Sequence, residues 1–213
     1  MRAVQRSGAN ALILASSSPR RIELLAHLGL PFRVLHVHFR EVLPSLPPLE
    51  AARLLAWRKA ETARRGLSAG IVVTADTVVA LGDTLFGKPK SPADARAQLA
   101  QLSGRAHEVI TAIALVDART HWGMLASERS VVTMRKLTRK EIADYVATGE
   151  PLDKAGSYAI QGRQGRRLVA GIRGDYFNVV GLPLKLLAAL AVRFGLALPR
   201  ARIAALYRNP PAL

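Results

Sequence analysis

The sequence predicts an α/β protein, a mixed sheet with flanking helices. Three observations carry this. Stretches with apolar residues at helical spacing alternate with apolar runs too short to be helices. Two pairs of strand-like runs, 77–81 with 84–86 and 108–116 with 124–134, are antiparallel neighbours, so the order is not a strict βαβ repeat. Of 213 residues 50% are hydrophobic and 22% charged, which supplies a sizeable core and argues against global disorder.

The elements follow in order. Residues 1–10 read as a polar leader. The run 11–15 is a buried strand, and the Ser-rich loop from Ser16 leads into a helix with Ser18 as N-cap and Pro19 at its first position. Leu24, Leu25 and Leu28 share one face of that helix and Gly29 stops it. A second strand spans 32–39, and a Pro-rich loop spans 43–48. A helix runs over 49–65 up to Gly66. Strands at 71–75 and 77–81 follow, the second turning through Gly82-Asp83 into 84–86. Ser91 and Pro92 open a helix that reaches about Leu102. Thr138 and Glu141 have capping-box spacing at the start of another, closed by Gly149. Residues 158–161 and 167–172 read as short strands, and 174–183 as a tight turn. Pro183 opens the last large helix and Gly195 ends it. The domain is expected to cover 11–195, with 196–213 a basic extension of about one helical turn and a tail. No internal repeat is visible.

Lys and Arg number 31 against 15 Asp and Glu, a net charge of +16. Such a balance favours anionic partners. Aromatic residues are only 5%, and no aromatic-interleaved basic motif is present, so nucleic acid is not favoured as the main partner. The absence of cysteine excludes disulfides, a Cys nucleophile and thiolate metal sites. The most apolar stretch, 182–198, is interrupted by Lys185 and Arg193, so no membrane span is expected. With no secretory signal read at the N-terminus, the expectation is a soluble, cytoplasmic protein.

Five stretches carry candidate chemistry. Ser16 to Arg21 places a strand end, a Ser-rich loop and a helix N-terminus together, with Arg20 and Arg21 as bidentate cations. That is an anion site or an ordinary cap with exposed arginines. Ala52, Leu55, Ala56 and Lys59 share one helical stripe, so the Lys59 ammonium either snorkels or enters a polar cleft. Asp76 follows an apolar strand. Flanked by buried residues, its carboxylate needs a cation, metal or water partner, and it can bind a divalent ion or accept a proton from water. Lys88 sits on a loop stiffened by Pro89, a position from which an ammonium reaches phosphate. Gln161, in a Gly-bounded segment, carries both donor and acceptor groups, which suits the edge of a base. The five histidines are dispersed and read as structural. No GxxxxGK[ST], GxSxG or HExxH motif and no EF-hand loop is present.

The pieces LILASSSPRRIELLAHLGLPFRV, RKAE, VVTADTVVALGDTLFGKPKSPADARAQLAQLSGRAHEVITAIAL, DKAGSYAIQG and GDYFNVVGLPL occur in that order. Together they resemble the Maf family of nucleotide pyrophosphatases over about 11–195. The resemblance implies an architecture like that of inosine triphosphate pyrophosphatases (Maf/Ham1), with a cleft between two lobes, and a homodimer. It implies hydrolysis of a nucleoside triphosphate to the monophosphate and pyrophosphate with a divalent cation, Mg²⁺ or Mn²⁺. It makes Asp76 the proton acceptor, Arg20, Thr77 and Gln161 the residues of substrate choice, and Arg21, Lys59 and Lys88 basic site positions. ADTVV with SYAIQG is similar to the dTTP/UTP branch. The pattern departs at Arg40-Glu41, where many relatives have Asp-Glu. Glu41 is kept, and with Asp76 it is the expected metal ligand. The alternatives are another nucleotide preference, including modified nucleotides, or a non-catalytic protein that binds nucleotide or nucleic acid.

Overall fold

The computed structural model describes residues 11–39, 42–162 and 164–211. The expected leader and the Arg40-Glu41 pair lie outside them. LILA forms β1 (Leu12–Ala15), buried along its whole length. A strand covered on both faces has no polar side to alternate with, which explains its unbroken apolar run. β2 (Phe32–Leu35) and β3 (Ile71–Leu81) lie parallel to β1 on its two sides. β4 (Thr84–Phe86) turns back on the end of β3. β5 (Ala106–Asp117), β6 (Gly123–Met134) and β7 (Val169–Arg173) extend the sheet antiparallel. The strand order is β2-β1-β3-β5-β6-β7, with β4 beside β3. This is the mixed sheet the sequence predicts.

Helices cover both faces. α2 (Pro48–Arg64) lies on one, where Ala52, Leu55, Ala56 and Ala60 pack on Val78, Ile110, Ala112 and Ala114. Alanines on that stripe let the helix approach the strands closely. The other face carries α1 (Pro19–Ala26), α3 (Pro92–Leu102), α4 (Arg139–Ala147) and α6 (Leu184–Val192). Leu24, Leu99, Ile142 and Leu187 bring these helices into the main core with Val73, Ile113 and Leu115. The capping box of α4 forms as its spacing predicts, with Thr138 and Glu141 each bonding the other's backbone. No helix among the described residues is long and apolar enough to cross a membrane.

Several local expectations are corrected. The strands read at 71–75 and 77–81 are one, because the ladder to β5 runs unbroken from Ile71↔Asp117 to Ala80↔Glu108. Asp76 therefore lies inside a strand, not at its end. β2 stops at Leu35. Residues 158–161 form no strand. Gly156 and Ser157 have positive φ, and the Ala159 N–H goes to the Tyr145 hydroxyl at 3.1 Å instead of a ladder. The run read as a strand from 167 begins as a 3₁₀ turn, Gly165–Leu168. The turn read at 174–183 contains a short helix, α5 (Tyr176–Val180). Asp175 caps it by accepting from the N–H groups of Phe177 and Asn178. The basic extension holds a nine-residue helix, α7 (Arg200–Arg208), seated through buried Ile203.

Candidate active site

β3 borders β1 only through Val73 and meets β4 only from Val79. Between these contacts, among the described residues, the backbone of 74–78 has a strand partner on the β5 side alone. That open edge sits beside the carboxyl end of β1, where β2 and β3 diverge. A parallel sheet offers its crevice at such a switch point. A cleft of about 950 Å³ occupies it.

Consecutive strand residues face opposite sides, so the cleft is fed from both. Thr74, Asp76 and Val78 turn toward α2. The Thr74 hydroxyl donates to the Ala56 carbonyl at 2.7 Å. One turn further along α2, the Lys59 ammonium pairs with Asp76 Oδ1. Both side chains are largely buried, at 12% and 7% exposure. The lysine on the inward stripe of α2 is thus the partner that the strand carboxylate needed. Lys59 also lies 5.7 Å from the centre of the Phe39 ring.

Thr77 turns the other way, toward α1. Arg21 Nη2 donates to its Oγ1 at 3.0 Å, and Arg21 Nε donates to the Gly181 carbonyl at 2.8 Å. Thr77 Oγ1 meets Thr111 Oγ1 at 2.9 Å, and Thr111 Oγ1 donates to the Asn178 carbonyl at 2.9 Å. The Thr111 proton is committed to that carbonyl, so Thr77 donates to Thr111 and accepts from Arg21. Gly181 has φ +114, and a Cβ there would stand 3.2 Å from Thr77 Oγ1 and 3.6 Å from Arg21 Nε. Only glycine gives both the backbone angle and the room.

The loop at the end of β1 is turned by Ser16, whose Oγ accepts from the Ser18 N–H at 3.1 Å. This corrects one expectation: Ser18 stands at the N-cap of α1, but its side chain makes no cap hydrogen bond. Across the mouth, Arg20 reaches Asp153 at 3.6 Å, and Lys154 holds Asp153 at 2.5 Å and the Glu150 carbonyl at 2.7 Å. Burial alone would raise the Asp153 carboxyl, but Lys154 and Arg20 beside it hold it below its ordinary value. Lys88 also lines the cleft. At the far end lies Gln161, whose buried Nε2 has no hydrogen-bond partner among the described residues. Behind the wall, Tyr158 and His107 Nε2 share a hydrogen bond of 2.7 Å, and burial pushes the His107 imidazole down to about 4.

The cleft thus brings together Ser16, Arg20, Arg21, Lys59, Asp76, Thr77, Lys88 and Gln161. Glu41 lies outside the described residues. Phe39, Lys90, Asp153 and Lys154 also line it and were not singled out in the sequence. Lys154 stands two residues before Gly156, at the head of a segment the sequence did mark. Among the described lining residues there are six basic side chains and two acids, Asp76 and Asp153.

A mixed α/β sheet with a cation-lined cleft at its switch point defines an anion-binding α/β domain. The chain belongs to the Maf family: the model for Maf-like protein matches residues 11–194. It is 52% identical over 185 residues to the dTTP/UTP pyrophosphatase of Moorella thermoacetica, covering 86% of this chain and 95% of that one. It is 46% identical over 185 residues to the dTTP/UTP pyrophosphatase of Symbiobacterium thermophilum, covering 86% and 94%. With that of Geobacillus sp. it shares 47% over 174 residues, covering 81% and 92%. Among solved structures, the Ham1 protein of Staphylococcus aureus aligns at 15% identity with a TM-score of 0.48, covering 87% of this chain and 99% of that one.

Proposed function

We propose that this chain hydrolyses dTTP and UTP to the monophosphate and pyrophosphate. The observation that carries the reading is the Lys59-paired Asp76 carboxylate on the open edge of β3, inside a cleft lined by basic side chains. A nucleoside triphosphate brings about four negative charges at neutral pH. Six basic groups against two acids leave four positive charges over to receive them. Asp76 is the group that takes the proton from the attacking water, and Lys59 fixes its direction. Arg20, Arg21 and Lys88 bind the phosphates and stabilise charge on the leaving pyrophosphate.

Carboxylate oxygens suit a hard divalent cation, and Asp76 would hold Mg²⁺ or Mn²⁺ here. Such an ion would neutralise phosphate charge. Glu41 is the second acid in this reading.

The orphaned Gln161 amide supports a base that sets a carbonyl acceptor beside a ring N–H, as uracil and thymine do. Its Nε2 donates to O4 and its Oε1 accepts from N3–H, a pattern that uracil and thymine share and cytosine lacks. Burying an unused donor is costly, so a base that satisfies it is preferred over one that does not. A homodimer in the cytoplasm belongs to the same reading. The test is a panel of nucleoside triphosphates with Mg²⁺ or Mn²⁺, scored for pyrophosphate release beside Asp76→Asn. Release from dTTP and UTP ahead of GTP and CTP is expected. No release from any triphosphate would overturn the reading.

A further inference from the structure

The family match ends at residue 194, yet α7, beyond it, is joined to the site by an unbroken polar chain. The Tyr207 hydroxyl donates to Asp175 Oδ2. Its ring packs edge-on against Phe177, centres 4.7 Å apart, and Lys185 Nζ lies 4.1 Å from its centre. Asp175 Oδ1 is the cap of α5. Asn178, one turn into α5, is fully buried. Its Nδ2 donates to the Val109 carbonyl and Ser130 Oγ, and its Oδ1 accepts from the Thr111 N–H. From Thr111 the chain continues through Thr77 to Arg21. The end of α5 supplies the Gly181 carbonyl that holds Arg21 Nε.

A second contact is independent of the first. Arg202, also on α7, lays its guanidinium over Gly29, just past the end of α1. A Cβ at Gly29 would lie 1.7 Å from Arg202 Nη1. A cation there suits the negative end of a helix. The opposite end of α1 carries Arg20 and Arg21. One helix therefore touches both elements that set Arg21: α1, which bears it, and α5, which receives it.

We propose that α7 is a strut for the candidate phosphate site, with Tyr207 and Arg202 as positioning residues that fix Arg21. This rests on the reading of Arg21 as a phosphate ligand. The hydroxyl of Tyr207 keeps Asp175 oriented as the cap of α5, and with it the Gly181 carbonyl. Without the hydroxyl the ring still packs, but the cap loosens and Arg21 loses its fixed acceptor.

The test uses the full chain and two readouts. In ¹⁵N-labelled protein the Arg21 Nε–H signal, assigned by its loss in Arg21→Lys, reports the bond to Gly181. In Tyr207→Phe its exchange with water should quicken by about threefold or more, and the Kd for inorganic pyrophosphate should rise by a similar factor, as coupled neighbours do. A merely structural role would shift the urea midpoint and leave this signal alone. An Arg21 Nε–H that exchanges at the wild-type rate in Tyr207→Phe overturns the proposal, as does one unprotected in the wild type. Should Tyr207→Phe not fold, Arg202→Gln, at an exposed position, carries the same comparison. If the wild type binds no pyrophosphate and cleaves no triphosphate, the proposed function fails while the exchange rate still decides the strut.

Discussion

Asp76 and Thr77 are neighbours on β3 and work on opposite faces of the sheet: Asp76 meets Lys59 of α2, and Thr77 meets Arg21 of α1. The pleat of one strand thereby splits the candidate site into two halves. One half holds the carboxylate proposed to handle the proton, the other an arginine proposed to hold phosphate. They meet because, among the described residues, β3 has no neighbouring strand on that edge between Val73 and Val79.

Replacing Asp76 by Asn keeps the shape and removes the base. Turnover on dTTP should fall by about 10²–10⁴-fold, the usual worth of general-base help. Circular dichroism should remain that of the wild type. Pyrophosphate release at the wild-type rate would remove Asp76 from its assigned role.

Gln161→Ala should narrow the preference for UTP and dTTP over CTP by about tenfold, the value of one or two hydrogen bonds to the base. Competition between UTP and CTP in one reaction reads this directly. An unchanged ratio would assign base selection elsewhere in the cleft.

Asn178→Ala removes the hub under α5. It strips the Thr111 N–H, the Val109 carbonyl and Ser130 Oγ of a partner each in a dry setting. Unsatisfied buried groups cost about 1–3 kcal/mol apiece, so a loss of at least about 2 kcal/mol is expected from urea unfolding. A smaller loss would mean that water enters and replaces the amide.

Acid should weaken the protein in two windows. Burial lowers His107 from 6.5 to about 4, so between these values the unfolded chain binds a proton that the folded chain refuses. Stability therefore falls as pH drops from 6.5 to 4, by about 3 kcal/mol in all, then levels for this group. His107→Gln should flatten that part of a pH–stability curve. Glu141 is held down to about 2, chiefly by the Thr138 backbone N–H, then by Arg135 and the Thr138 hydroxyl. Its contribution is complete above 4.5 and is lost as pH falls toward 2. A slope between pH 6.5 and 4 that persists in His107→Gln would place the first effect on another group.

Local rules made much of the chain legible. β1 was readable from its apolar run, α3 from its Ser-Pro start, and α4 from Thr138 and Glu141. α5 was not. Five residues between Asp175 and Gly181 are too few for helical periodicity, and the helix exists because Asp175 caps it and the β5–β6 surface holds Asn178. Residues 158–161 failed in the opposite sense. Their alternation fits a strand, but the Tyr145 hydroxyl takes the N–H a ladder would need.

The sequence by itself determined which residue types could serve. Lys59 falls on the inward stripe of its helix and Asp76 in an apolar strand, where a carboxylate needs a partner. Local spacing could not say that each is the other's partner, since that depends on how α2 crosses β3. Nor could it say that Thr77 orients Arg21, or that Tyr207, 130 residues beyond Thr77, joins the same chain of hydrogen bonds. Periodicity reports the face a residue turns to the core. What stands opposite that face is decided only when the sheet order brings distant strands and helices into register.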